Sequence, residues 1–148
     1  MLEGLERALS ALVRLLADRA TVEDVAQRSG HDLPPASWTL LEHLDTRGAL
    51  RVSHIAACHG VDISSITPRL KRLETLGLVA REREPSDARA FLISITAAGI
   101  AALESVHAAR RDILAHAISD IDQSQLAVTA EVLTHLAHQL SARPVPAE

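Results

Sequence analysis

Residues 61–78, V-D-I-S-S-I-T-P-R-L-K-R-L-E-T-L-G-L, constrain the fold more than any other stretch of the chain. Ile63, Ile66, Leu70 and Leu73 recur at helical intervals and share one stripe of a helix. The opposite face carries Ser64, Ser65, Pro68, Lys71, Arg72 and Thr75, with Thr67 and Arg69 on its flanks. Asp62 is placed to cap this helix and Gly77 to stop it. An inner face that packs and an outer face of hydroxyls and cations suits the major groove of duplex DNA. There Arg and Lys reach guanine edges or phosphates, and Ser and Thr reach either. Alone, the pattern also fits an ordinary cationic surface helix, so its neighbours decide.

Pro68 is the residue that local rules favour least, since a proline inside a helix costs about 3 kcal/mol. A helix starting at Thr67, with Pro68 in its first turn, would avoid that cost. The apolar stripe argues against this start, because it keeps phase across the proline from Ile63 and Ile66 to Leu70 and Leu73. Pro68 is therefore expected inside the helix, near the centre of the outward face, where its ring can meet a thymine methyl.

Upstream, residues 52–60 (V-S-H-I-A-A-C-H-G) read as a short helix, with Ser53 as a cap and Gly60 as a turn. A helix, a glycine turn and a cationic helix make a helix-turn-helix. Downstream the period changes: residues 78–84 and 91–96 read as strands, joined by Pro85, Ser86, Asp87, Ala88 and Arg89. A hairpin in that place is a wing, and Arg89 at its tip is long enough for the neighbouring minor groove. Before the helix-turn-helix, Leu33-Pro34-Pro35 opens a helix with Trp38, Leu41 and Leu44 as its stripe and Gly48 as its end. Ala49-Leu50-Arg51 is short and extended.

The two ends of the chain read as long helices. Residues 2–28 carry Leu5, Leu9, Leu12, Val13 and Leu16 on one side, with Thr21 as a point of interruption and Ser29-Gly30 as the stop. Thr96 caps a helix bearing Ile100, Leu103, Val106, Ile113 and Leu114. After a break around 119–122, a last helix near 123–140 bears Leu126, Val132, Leu133, Leu136 and Leu140. Such apolar stripes at both ends of a small chain are natural dimer-formers. The expected architecture is one mainly α domain over 1–148, with a winged helix-turn-helix lobe at 33–96 carrying a two-stranded β wing. Dimerisation helices fall at 1–30 and 97–141, and a tail at 142–148 is expected to fray.

The formal net charge of −4 conceals an asymmetry. From Arg47 to Arg83 there are seven cations against three anions, a local +4, while the remainder sums to −8. One basic segment on an acidic body is what a molecule needs when only part of it meets phosphate. With one Trp, one Phe and no Tyr, the chain lacks the stacking platform of a single-strand binder. One cysteine forms no internal disulfide and fits a reducing, cytoplasmic setting. No run of about 18 apolar residues reads as a membrane span, and the acidic, Leu-rich N-terminus does not read as a signal peptide.

With these elements assembled, the sequence resembles the MarR family of bacterial winged-helix transcriptional regulators across nearly its whole length. The stretches that carry the resemblance are L-P-P-A-S-W-T-L-L (33–41), L-R-V-S-H-I-A-A-C-H-G-V-D (50–62), S-S-I-T-P-R-L-K-R-L-E-T-L-G-L-V (64–79) and D-A-R-A-F-L-I-S-I-T-A-A-G (87–99). The last two are the most specific. The resemblance implies a homodimer with two lobes on a near-palindromic operator, and repression released by a small anionic or phenolic effector. It places Ser64, Ser65, Thr67, Pro68, Arg69 and Arg72 on the recognition helix, beside Lys71. It also places Asp87 and Arg89 on the wing, with the carboxylate positioning the guanidinium. His59 departs from the family pattern, which has an apolar residue before the glycine, and Cys58 stands where a polar residue is usual.

Other readings are weaker. Cys58, with Arg51 and histidines nearby, has the chemistry of a redox sensor, but the family's reactive cysteine lies near the N-terminus. His135 and His138, with Glu131 one turn earlier, have the spacing of a metal site, although two histidines on such a helix are more often ordinary solvated or core residues. Arg14, Trp38, His43 and Arg111 lie on helices that would border an effector cleft. No nucleophile motif, phosphate-cradling loop or paired-carboxylate spacing points to catalysis, and no cofactor is expected. The rivals to a DNA-binding regulator are a metal-responsive regulator and a winged-helix protein-interaction module without DNA binding.

Overall fold

A computed structural model of the chain describes residues 1–141; the tail at 142–148, and the expectation that it frays, lie outside the described residues. The chain divides into two compact units, Met1–Arg111 and Asp112–Glu148.

In the first unit the helix expected over 2–28 is two, α1 (Leu2–Ala17) and α2 (Arg19–Ser29). The break falls at Asp18 rather than Thr21. Asp18 is extended and its Oδ2 accepts the Ala20 N–H at 3.1 Å, so the carboxylate starts a new helix instead of continuing the old one. Helix α3 (Pro35–Arg47) buries Trp38, Leu40, Leu41 and Leu44. The Trp38 indole donates to the Leu33 carbonyl at 3.2 Å, which makes it a satisfied core residue. Strand β1 (Leu50–Arg51) leads into α4 (Val52–Cys58), whose N-cap is Arg51 and not Ser53.

Helix α5 (Ile63–Thr75) runs unbroken through Pro68. Ile66, Leu70 and Leu73 are buried as the stripe requires, whereas Ile63 is 53% exposed. Ile63 is the first helical residue and lies at the edge of the stripe, beyond the reach of the core. Asp62 holds the N-cap position without a side-chain capping bond.

The end of α5 is built tightly. Gly77 has φ +72°, its N–H reaches the Glu74 carbonyl at 2.9 Å, and the Leu78 N–H reaches the Leu73 carbonyl at 2.9 Å. These bonds form a Schellman motif, closed by the burial of Leu73 and Leu78. Strands β2 (Val79–Glu84) and β3 (Asp87–Ile95) follow, in an antiparallel sheet of order β1-β3-β2. The wing is thus two strands of a three-stranded sheet, with Leu50 of β1 opposite Ile93. Its turn is Pro85-Ser86, so β3 begins at Asp87 and not at Phe91.

Thr96 ties the hairpin's exit to the end of α5. Its hydroxyl donates to the Gly77 carbonyl at 2.6 Å and accepts the Gly99 N–H at 3.0 Å, capping α6 (Ala97–Ala117). Its own N–H reaches the Leu78 carbonyl at 3.1 Å. Gly99 sits so close that a Cβ there would lie 2.2 Å from the Leu78 carbonyl oxygen and 2.7 Å from Ile95 Cγ1.

A second tie joins α3 to the turn of the helix-turn-helix. His43 Nδ1 lies 3.3 Å from His59 Nε2, and both rings are half-buried. Burial, then the Arg47 and His54 charges, lower the His43 pKa; burial, then His43 and Arg69, lower that of His59. One ring must supply the N–H and the other a lone pair, so the contact needs at least one neutral imidazole.

The second unit holds the end of α6 and all of α7 (Gln123–Ser141). Asp122 caps α7 by accepting the Ser124 N–H at 2.8 Å and the Ser124 hydroxyl, which hold its carboxyl below the usual range.

Two outcomes are expected. Gly99→Ala should destabilise the chain by about 1–3 kcal/mol, because the obstructing atom is backbone that cannot rotate away; denaturant melts with an unshifted midpoint would contradict the close approach. The histidine pair should make stability fall on acidification. With both folded pKa values below the ordinary 6.5, its stabilisation is complete above that pH and is lost as pH falls through the lowered folded values. Melting the wild type beside a His43→Gln/His59→Gln variant isolates this slope from that of the other histidines. A difference between the two that stays constant across the window would contradict it.

Candidate nucleic-acid interface

Once Ile66, Leu70 and Leu73 are buried, the helical period turns Ser64, Ser65, Thr67, Pro68, Lys71 and Arg72 outward, and all six are exposed. Arg69 is half-buried, its charge within reach of His59. The Thr67 hydroxyl donates back to the Ile63 carbonyl at 2.6 Å, which leaves its oxygen as an acceptor only.

The wing is held by two carboxylates. Glu84 Oε1 accepts from Arg51 Nη2 at 2.8 Å and from the Ser86 hydroxyl at 2.9 Å, while Arg51 Nε lies 2.5 Å from Oε2. Bonding to Arg51, and then to Ser86, keeps the Glu84 carboxyl below its usual range and raises the Arg51 guanidinium. This fork pins β1 to the hairpin end and uses up Arg51 as a free cation. Beyond it, Arg83 pairs with Phe91 but Glu84 pairs with Asp87, so residues 88–90 bulge from β3. Asp87 Oδ1 accepts the backbone N–H of Arg89 at 3.0 Å. The carboxylate therefore fixes the Arg89 backbone within the bulge, a different contact from the guanidinium pairing that the resemblance implies.

Arg81 is also engaged: its guanidinium lies over the Phe91 ring at 5.2 Å and 3.9 Å from Glu74 of α5. Among the described residues, Lys71, Arg72 and Arg89 have no carboxylate partner within ion-pair distance. The chain thus separates cations that brace the lobe, Arg51 and Arg81, from cations offered to a ligand. The glutamate brace escaped sequence reading because Arg51 and Glu84 are 33 residues apart and meet only through the β1–β3–β2 register. The period-2 pattern of 78–84 was the only signal, and it does not name a partner.

The remaining candidates fall elsewhere. Trp38 belongs to the core, His43 to the histidine pair, and Arg14 and Arg111 lie exposed on α1 and α6. Glu42 on α3 accepts from Arg110 Nη1 of α6 at 2.8 Å, a link the sequence did not announce. Cys58 is a free, exposed thiol. Glu131, His135 and His138 share α7, but no group of three or more His, Cys, Asp or Glu among the described residues is placed to hold a metal. No described helix is long and apolar enough to cross a membrane.

Comparison with known proteins agrees with this geometry. Residues 31–90 match the model of the MarR family. The chain is 33% identical over 103 residues to the HTH-type transcriptional repressor MdtR of Bacillus subtilis, which covers 70% of this chain and 66% of that one. The match spans just under two thirds of the length of such curated relatives. Among solved structures, the YusO protein from Bacillus subtilis is 28% identical, with a TM-score of 0.70 over 93% of this chain and 94% of that one. Wild-type MarR in its apo form from E. coli, 22% identical, shares the fold with a TM-score of 0.69 over 87% and 93%. The helix-turn-helix, the wing and the shared fold converge on one identification: residues 31–90 carry the winged helix-turn-helix of the MarR family, and the chain is similar to HTH-type transcriptional regulators of that kind.

Proposed function

We propose that this protein is a homodimeric repressor that binds duplex DNA sequence-specifically in the cytoplasm and is released by a small anionic or phenolic effector. The observation that carries the reading is the outward face of α5, where Ser64, Ser65, Thr67, Pro68, Lys71 and Arg72 are all exposed beside a wing that offers Arg89. Lys71, Arg72 and Arg69 supply phosphate or guanine contacts, Ser64, Ser65 and Thr67 supply hydrogen bonds, and Arg89 reads the minor groove. Asp87 holds the bulge from which Arg89 projects.

The dimer is supported by apolar surface that has no cover among the described residues. On α1, Leu12, Val13 and Leu16 are 48–65% exposed, and on α7 Val128, Val132 and Leu140 are 47–60% exposed. Isolated helices rarely leave such stripes to water, and a two-fold axis would bury each against its copy. The name of MdtR, a repressor, supports the sign of regulation. The effector follows from the resemblance: by changing the spacing of two recognition helices it would stop both from entering successive grooves.

Selection of bound duplexes from a random pool tests the reading. The expected operator is a near-palindrome with half-site centres about 10 bp apart; a lone half-site bound at full affinity by a monomer would contradict the dimer, and failure to bind any duplex would favour a protein-interaction module. Arg89→Ala should weaken operator binding by roughly 1–3 kcal/mol while leaving the melting temperature nearly unchanged. Unaltered affinity at moderate salt would remove the wing from the mechanism.

A further inference from the structure

The α5 helix contains a backbone acceptor that ordinary recognition helices lack. In an unbroken helix the carbonyl of residue 64 bonds the N–H of residue 68, but Pro68 has none, and the helix continues through it from Ile63 to Thr75. The Ser64 carbonyl is therefore left without its helical donor. It lies between Ser64 and Pro68, both exposed and both opposite the buried Ile66, Leu70 and Leu73. The Ile63 carbonyl on the preceding residue also accepts the Thr67 hydroxyl at 2.6 Å, so of these two neighbouring carbonyls it is that of Ser64 which lacks the donor its helical position calls for.

We infer that Pro68 makes the Ser64 main-chain carbonyl a base-reading group, which selects a base with an exocyclic amino donor at the operator position facing the middle of α5. The inference rests on the reading above, in which α5 enters the major groove. In that groove only adenine N6 and cytosine N4 donate; guanine and thymine present acceptors, which would face the carbonyl with like partial charge. A main-chain carbonyl without a protein donor on an exposed helix face is open to hydration. A groove that closes over it must either keep a water there or replace it with a donor. The Pro68 ring beside the carbonyl is apolar and suits a thymine methyl, and an A·T pair presents N6 and the methyl together. Adenine is therefore preferred over cytosine.

The test joins operator selection with base analogues. Wild type should select adenine or cytosine at one position in each half-site, with adenine favoured. Replacing that adenine by purine, which lacks N6, or that cytosine by 2-pyrimidinone, which lacks N4, should weaken wild-type binding on the order of tenfold. Pro68→Ala restores the amide, so its preference at that position should vanish and the analogue should cost it little. Ser64→Ala keeps the carbonyl and should keep the preference. Selection of guanine or thymine at the position that Pro68→Ala alters, no change in Pro68→Ala, or equal loss in Ser64→Ala would overturn the inference while duplex binding stands. Because the analogue arm uses wild-type protein, it decides even where a variant folds poorly. Failure of wild type to bind any duplex would instead overturn the reading on which the inference rests.

Discussion

The architecture of the lobe depends on one backbone contact, the approach of Gly99 to the Leu78 carbonyl. That carbonyl also accepts the Thr96 N–H at 3.1 Å, and the Thr96 hydroxyl spans from the Gly77 carbonyl to the Gly99 N–H. Three elements meet there: the end of α5, the hairpin that returns at Ile95, and the start of α6. Each is fixed by a hydrogen bond or by van der Waals exclusion, and none by a long flexible side chain. A side chain at residue 99 would move α6 away from α5, and the angle between the two would no longer be set. The basic face of α5 is thus presented from a rigid corner, which is what groove recognition requires.

Charge is divided by the same logic. The Arg51–Glu84 fork and the Arg81–Phe91 contact use cations to brace the wing, whereas Lys71, Arg72 and Arg89 have no carboxylate partner among the described residues. A sheet edge of only two residues, β1, would be a weak support by itself. The fork compensates by linking its last residue directly to the end of β2. Since Glu84 is bonded chiefly to Arg51, protonating it would release the guanidinium and free the hairpin end, and its lowered pKa confines that event to acid.

Local signals announced the elements whose cause is local. The α5 stripe, the Gly77 stop, the Thr96 cap and the hairpin follow from periodicity and from residues that favour one backbone conformation. Three features escaped, one because two local backbone paths were open to the chain and two because a distant neighbour determines them. Asp18 was free to continue a helix or to start one, and only its bond to the Ala20 N–H shows which. The Arg51–Glu84 and His43–His59 contacts join residues 33 and 16 apart, and no periodicity encodes a pairing that depends on how helices and strands dock. Ile63 was misplaced for a third reason, since the stripe gives a direction but not where the core ends. Among the proposed site residues, the exposed face of α5 was legible from its buried complement, while the bulge that displays Arg89 needed the strand register.

The central claim is that a cationic helix face, held at a fixed angle, binds duplex DNA through phosphate and base contacts. Its most direct measurement is operator affinity against salt concentration for wild type, Lys71→Ala and Arg72→Ala. The account predicts that log K falls linearly with log salt, by about 0.9 per phosphate neutralised, and that each substitution which removes a phosphate contact shortens the slope by roughly one unit per lobe. A slope near zero in wild type, or one unchanged in both variants, would contradict it.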